Sequence, residues 1–414
     1  MTPSTMLPPK SVQELGVRRS LLEDLTLKVL YLLGEISLHE LVRHMGISLS
    51  IVEELFQRLL KDQLCQVTGM DRGVHRITTT SMGKSRALEL LAQNQYAGPA
   101  PVTLKDYVDR TRAQSVRGIG VTPPDMDRAF EGLVMDSGTM NQLGTAVISG
   151  RALFLYGPTG TGKTTIAVTL RRLFENDQAW VPYAVEVDGQ IITVYDSVLH
   201  QSLEQPKAHN HDRRWVLCRR PQVMVGGELT IEMLDLQFNR STKFYDGPVQ
   251  MKANNGLLII DDFGRQRVSP EELLNRWVVP LDRGIDFLAL AGGKKIEIPF
   301  DLFVVFATNL DPATMVDEAF LRRIQSKIKV DFVTPEQFQE ILRQACLKLE
   351  MGYDSTVADE LIRMIGSDYK EPLRACYPRD ILNQIVWQAR YLQKEPLFNQ
   401  QSVEDACRNY FLAP

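Results

Sequence analysis

The chain is poor in cysteine, has no sustained apolar run and carries almost no excess of either charge, and each shortage excludes a class of protein. Its five cysteines, Cys65, Cys218, Cys346, Cys376 and Cys407, are odd in number, far apart and never in a CxxC pair. That pattern suggests neither a disulfide framework nor a zinc ribbon, and it fits a reducing cytoplasm. No stretch approaches the roughly 18 apolar residues of a membrane helix. The opening "MTPSTMLPPKSVQELGVRRS" lacks a basic segment followed by an apolar core, so neither export nor membrane insertion is expected. A net charge of -4 speaks against a protein that simply coats nucleic acid. No internal repeat or low-complexity tract is present. What remains is a composition 44% hydrophobic and 24% charged, that of a soluble globular protein, over 414 residues. At roughly 100–200 residues per domain, that length implies about two to four domains.

Residues 1–20 are proline-rich and polar and read as a flexible tail. Then "LLEDLTLKVLYLL", "SLHELVRHMG" and "SLSIVEELFQRLLKDQL" follow with helical spacing of apolar residues and serine starts. "CQVTGMDRGVHRITTT" alternates around a glycine turn as a hairpin does, and "SMGKSRALELLAQ" returns to helix. This order over residues 21–95 resembles a winged helix-turn-helix domain, in which 48–63 would be the recognition helix. The resemblance leaves two readings open, DNA binding and protein docking. Residues 1–100 hold 11 Lys or Arg against 10 Asp or Glu, and the candidate recognition helix sets Glu53, Glu54 and Asp62 against Arg58 and Lys61. Phosphate contact needs a basic face, which here reduces to Arg72, Arg76, Lys84 and Arg86 near the wing. Residues 96–125, rich in Pro and Gly and without periodicity, read as a linker.

From 126 the helical segment "MDRAFEGLVMDSGTMNQLGTAV" leads into "LFLYGPTGTGKTT". Gly157, Pro158, Thr159, Gly160, Thr161, Gly162, Lys163 and Thr164 match GxxxxGK[ST] in full, after an apolar strand and before a helical run that starts with Thr164 and Thr165. The glycines let backbone N–H groups point inward at a phosphate, and the helix N-terminus adds partial positive charge. Lys163 is then placed for the β- and γ-phosphates of ATP and the Thr164 hydroxyl for Mg²⁺. "GLLIIDDFG" supplies an apolar strand that releases Asp261 and Asp262 at its C-terminal end. There Asp261 would hold Mg²⁺ and Asp262 would polarise water. "DLFVVFATN" ends in Asn309, an amide that can orient water or contact the γ-phosphate.

Phosphate loop, acidic strand, strand ending in Asn, "DEAFLRRI" and a helical tail with "YPRDIL" together resemble the AAA+ ATPase module over residues 126–414. The resemblance implies an α/β P-loop domain at 126–333, a parallel sheet between helices, with a helical lid at 334–414. It implies that Asn309 is the sensor-one residue and Arg379 the lid's sensor-two arginine. Arg322 or Arg323 would be a finger reaching a neighbouring subunit's site; Arg323, the last of the pair, is favoured. A finger in trans requires a homo-oligomer, in the family a ring and commonly a hexamer. Most members carry Asp-Glu where this chain has Asp261-Asp262, so the water-polarising carboxylate is one methylene shorter.

Residues 177–255 exceed a minimal module and include "YAVEVDGQIITVYD", a hairpin with a DG turn, while "IDFLALAGGKKIEIPFDLF" turns at Gly292-Gly293. Extra elements at these places resemble the branch that includes MoxR-type chaperone ATPases, magnesium chelatase subunits, minichromosome-maintenance helicases and enhancer-binding activators, and the whole pattern is most similar to bacterial predicted ATPases with chaperone activity. The GAFTGA loop of the enhancer-binding activators is absent, with "FYDGPVQ" nearby instead. His209 and His211, with His200 near, form a candidate metal group, set against ordinary solvated histidines. Lys294 and Lys295 stand at a hairpin tip that either grips a substrate in a pore or is merely solvated. The expected activity is therefore Mg²⁺-dependent ATP hydrolysis by a cytoplasmic ring that remodels a protein client, chaperone-like. The alternatives are a DNA-associated ATPase acting through residues 21–95, and a slow nucleotide-gated switch.

Overall fold

The computed structural model describes residues 4, 6–71, 73–203, 211–312 and 321–412. At the N-terminal side the helices Arg19–Leu33, Leu38–Met45 and Leu49–Lys61 precede the hairpin Cys65–Asp71 with Val74–Thr79, and helix Ser81–Gln93 follows. Local chemistry sets these ends. Ser37 and Glu40 form a reciprocal capping box at the start of the second helix, and Gly46, at φ 65°, stops it. The short strand Ile36–Ser37 adds antiparallel to the hairpin. Leu22, Leu25, Leu41, Leu55, Phe56 and Ile77 fill the core between them.

Two segments differ from the sequence reading. Val12, Leu15 and Val17, inside the expected tail, are buried in this same core; Gly16 at φ 69° turns the chain back to reach it. The expected linker also carries regular structure. Val102–Thr103 pairs in parallel with Ala184–Val187, and Thr103 caps the helix Leu104–Ala113, which buries Tyr107 and Thr111. With only those two positions on its buried face, the helix shows too little periodicity to stand out from its Pro- and Gly-rich flanks.

The α/β class expected from the sequence is present. Among the described residues the central sheet has strands β1 (Ala152–Tyr156), β2 (Gln222–Val225), β3 (Leu257–Ile260), β4 (Phe303–Thr308) and β5 (Ser326–Lys329). Their order across the sheet is β2-β3-β4-β1-β5 and every pairing is parallel. The runs LLII and FVVFAT are buried throughout because helices cover both faces, which explains their unbroken hydrophobicity. Helices Pro335–Lys348, Ser355–Arg363, Tyr377–Tyr391 and Gln400–Tyr410 form a lid around Phe338, Leu342, Leu361, Ile381 and Leu382.

The two hairpins expected in the extra segments also form. Ala184–Val187 pairs with Gln190–Thr193 across Asp188 and Gly189, whose φ values of 51° and 83° suit a two-residue turn with left-handed backbone. Ile285–Ala289 pairs with Lys295–Pro299. At the edge where β3 and β4 begin, a buried polar cluster ties sheet, insertion and the preceding helix together. Asn255 donates to Thr111 O at 2.7 Å and to Asp301 at 2.8 Å, Gln114 donates to Asn255 at 2.9 Å, and Arg220 donates to Gln114 O at 2.9 Å and Asn255 O at 2.8 Å. With that edge fixed, the opposite edge, where β1, β3 and β4 end, holds the polar chemistry.

Candidate functional site

Tyr156 ends β1, and the loop that follows uses left-handed backbone at Gly157, Gly160 and Gly162 before helix Lys163–Thr169 begins. Space as well as φ demands glycine at two of them. A Cβ on Gly157 would run into the Val330 carbonyl, and one on Gly160 would lie 2.8 Å from the Cys376 sulfur. Lys163 folds back over the loop, its amine donating to Gly157 O at 2.9 Å and Pro158 O at 2.6 Å. Burial pulls its pKa down, opposed by Asp262 and Asp261.

The acidic strand end faces this loop. Thr164 Oγ1 donates to Asp261 Oδ1 at 2.9 Å. Asp262 stands on left-handed backbone, φ 48°, a conformation Asp and Asn enter more readily than other side chains. Asn309 Nδ2 lies 3.5 Å from Asp262 Oδ1, at the outer limit of a hydrogen bond. The turn itself is clamped. Gln266 Nε2 donates to the carbonyls of Asp261 at 2.8 Å and Asp262 at 3.2 Å, while its Oε1 accepts from Gly264 N–H at 2.7 Å. Thr308 Oγ1 donates to Phe263 O at 2.6 Å from the neighbouring strand.

The loop, the two aspartates and Asn309 border one cavity of about 620 Å³ between sheet and lid, within the usual range for small-ligand sites. Thr159 to Ile166, Asp261, Asp262 and Asn309 make its polar end; Leu133, Val134 and Met135, with Ile341 and Ala345 of the lid, make an apolar wall. Arg379 also lines it, near the start of helix Tyr377–Tyr391, with Nε and Nη2 both 3.1 Å from Asp380 Oδ1. The sequence singled out neither the apolar wall nor Gln266. "GLVMD" precedes the loop without a motif, and Gln266 is recognised only through the carbonyls it touches.

Other candidate residues fall elsewhere. Arg322 and Arg323 do not line the cavity, and Arg323 Nε donates to Asp282 at 2.9 Å; most of "DEAFLRRI" before them lies outside the described residues. Of the candidate histidines, His200 and His211 are described, and both are buried. His200 accepts the Asp196 N–H at Nδ1, 2.9 Å, and bonds Lys252 O at Nε2, 2.8 Å, with burial pulling its pKa down. His211 is buried beside Trp180, His209 lies outside the described residues, and no metal-ligating cluster occurs among those described. Lys294 is not a bare tip: it pairs with Asp188 in the turn of the other hairpin. Around the hairpin Cys65–Asp71 with Val74–Thr79, Arg76 pairs with Glu35 at 2.6 Å and Arg86 with Glu89 at 3.0 Å, while Arg72 lies outside the described residues. No helix among the described residues is long and apolar enough to cross a membrane.

A family model described as a domain of unknown function, DUF8689, matches residues 334–409, the lid. No curated protein matches the chain. Among solved structures, the chain is similar to the Thermotoga maritima RuvB Holliday junction branch migration motor at 14% identity, covering 67% of this chain and 70% of that one with a TM-score of 0.38. It is also similar to domain III of the Thermotoga maritima replication initiation protein DnaA, at 15% identity over 70% of this chain and 98% of that one, again with a TM-score of 0.38.

Proposed function

We propose that the chain is a Mg²⁺-dependent AAA+ ATPase that assembles as a ring, in the MoxR-like branch, and remodels a protein client. The observation that carries this reading is the convergence on one cavity of Lys163, the Thr164–Asp261 pair, Asp262 beside Asn309, and Arg379 from the lid. The sheet order, with the acids at the end of β3 and the amide at the end of β4, supports it.

Thr164 and Asp261 offer two hard oxygen donors 2.9 Å apart at a helix N-terminus, a set that fits Mg²⁺ shared with a substrate's phosphates. When bound, Mg²⁺ neutralises charge on the phosphate oxygens. The protein's own groups do the rest. Lys163 exchanges its two loop carbonyls for β- and γ-phosphate oxygens, and the loop N–H groups hold the same phosphates. Asp262 polarises the attacking water, and Asn309 orients it. Arg379 approaches the γ-phosphate as the lid closes, with the apolar wall taking the base. Arg323, or Arg322, serves a neighbouring copy's site in trans, stabilising charge on the transferring phosphoryl group.

Residues 21–95, as a winged helix, serve for docking or regulation. The ion pairs of Arg76 and Arg86 favour this over DNA binding, because they remove charge that phosphate contacts would need. Isothermal titration with ATP and ADP, with and without Mg²⁺, tests the reading. Thr164→Val is expected to abolish the Mg²⁺-dependent gain in affinity and leave metal-free binding intact; failure of the unsubstituted chain to bind either nucleotide overturns it. The client is expected to co-purify with Asp262→Asn held with ATP.

A further inference from the structure

We propose that Arg374 is a positioning residue that fastens the lid to the outer side of the phosphate loop, so that the lid governs how tightly the loop holds a nucleoside di- or triphosphate. The proposal rests on the ATPase reading above and adds a regulatory contact to the same site. Arg374 Nη1 donates to Thr159 O at 3.0 Å and to Thr159 Oγ1 at 2.6 Å. Its Nη2 donates to Glu371 Oε2 at 3.1 Å, and the same carboxylate oxygen accepts from the Tyr377 hydroxyl at 3.2 Å. The guanidinium carbon stands 5.8 Å from the ring centres of both Phe332 and Tyr377. A carboxylate and two rings thus fix the guanidinium before it meets the loop.

The next loop residue is held from the same lid segment. Cys376 N–H donates to Gly160 O at 3.1 Å. Gly160, at φ 75°, leaves no room for a Cβ against the Cys376 sulfur. Two successive loop carbonyls, those of Thr159 and Gly160, are therefore drawn toward the lid. In a planar trans peptide the C=O and the following N–H point in opposite directions. Holding those carbonyls outward turns the N–H groups of Gly160 and Thr161 the other way, into the cavity where phosphate would lie. Arg374 does not line that cavity; it lines an adjoining cleft of about 430 Å³ with Glu371 and Tyr377, and the two spaces share Thr159, Gly160 and Cys376. Arg379 lines the nucleotide cavity itself. The two lid arginines consequently affect different quantities: Arg379 the chemical step, Arg374 the grip of the loop.

The test uses the full chain with a fluorescent ADP analogue in stopped flow, together with steady-state ATP turnover. Arg374→Ala is expected to raise the ADP release rate and KM about tenfold while kcat stays within about twofold. Thr159→Val, which removes only the hydroxyl acceptor, is expected to produce a smaller rise, and the double variant to match Arg374→Ala because the hydroxyl's partner is already gone. Arg374→Lys restores only part of the grip, since an ammonium lacks the fork that spans Thr159 and Glu371. Should Arg374→Ala fail to fold, Glu371→Gln carries the test with the same direction and smaller size. Unchanged release and KM in these variants, or additive effects of the two substitutions, overturn the proposal while the ATPase reading stands. No ADP binding by the unsubstituted chain defeats that reading and this proposal with it.

Discussion

Asp262 offers the sharpest test of how the acidic turn works, because a lengthened and a neutralised side chain should fail for different reasons. Its backbone sits at φ 48°, with Gln266 donating to its carbonyl and Thr308 of the next strand donating to the carbonyl of Phe263 beside it. Left-handed backbone costs an ordinary L-residue about 1–2 kcal/mol, and Asp and Asn escape part of that. Asp262→Glu, the residue found in most of the resembling family, should therefore destabilise the domain by about 1 kcal/mol, a fall of roughly 2–4 °C in Tm. The extra methylene also carries the carboxylate about 1.5 Å further out, past a contact with Asn309 already stretched to 3.5 Å. Turnover in this variant should fall. Asp262→Asn keeps the backbone preference and loses the base, so Tm should hold while phosphate release drops about 10²–10⁴-fold with ATP still bound. Differential scanning fluorimetry and a continuous phosphate assay read both quantities. Asp262→Asn turning over like the unsubstituted chain, or Asp262→Glu running faster with no loss of Tm, would refute the claim that this turn is fitted to aspartate.

Three further outcomes follow from the same geometry. Gln266→Ala frees the carbonyls of Asp261 and Asp262, so kcat should fall about tenfold with ATP affinity retained, and the substitution should add nothing in an Asp262→Asn background; full additivity in that cycle would contradict the clamp. Burial pulls the Lys28 ammonium down to about 8 from an ordinary 10.5, with Asp24 opposing. Between those values the unfolded chain binds the extra proton, so this group makes stability rise with pH from about 8 to 10.5. In urea titrations Lys28→Met should accordingly be favoured relative to the unsubstituted chain at pH 8, with the gap closing toward pH 10; a constant gap would count against it. Arg323→Ala should abolish turnover, and mixing it with Lys163→Ala should restore a fraction through mixed sites, whereas a strictly additive mixture would argue against a finger in trans.

Much of the candidate site was legible because its parts are local. The phosphate loop, Asp261-Asp262 and Asn309 each end an apolar strand, and parallel sheets deliver strand ends to one edge, so contiguous motifs carried the geometry. Arg374 was not legible: its partner Thr159 lies 215 residues away, and no short pattern records that distance. Lys294 looked like an open tip because Asp188, its partner, belongs to another hairpin 106 residues earlier. The order within residues 1–20 and 96–125 escapes the sequence for a related reason. Val12, Leu15 and Tyr107 are buried by surfaces contributed from elsewhere, while their own neighbours in sequence are proline, glycine and charge. His200 bonds backbone groups through both ring nitrogens, which only the folded chain reveals.

The central claim is that this cavity binds and hydrolyses ATP through Lys163. Phosphate release by the purified full chain with ATP and Mg²⁺, measured beside Lys163→Ala, tests it most directly. Steady turnover that Lys163→Ala reduces to background, with the variant still folded, is the result the account predicts. An unsubstituted chain that releases no phosphate, or a Lys163→Ala variant that turns over as fast, contradicts it.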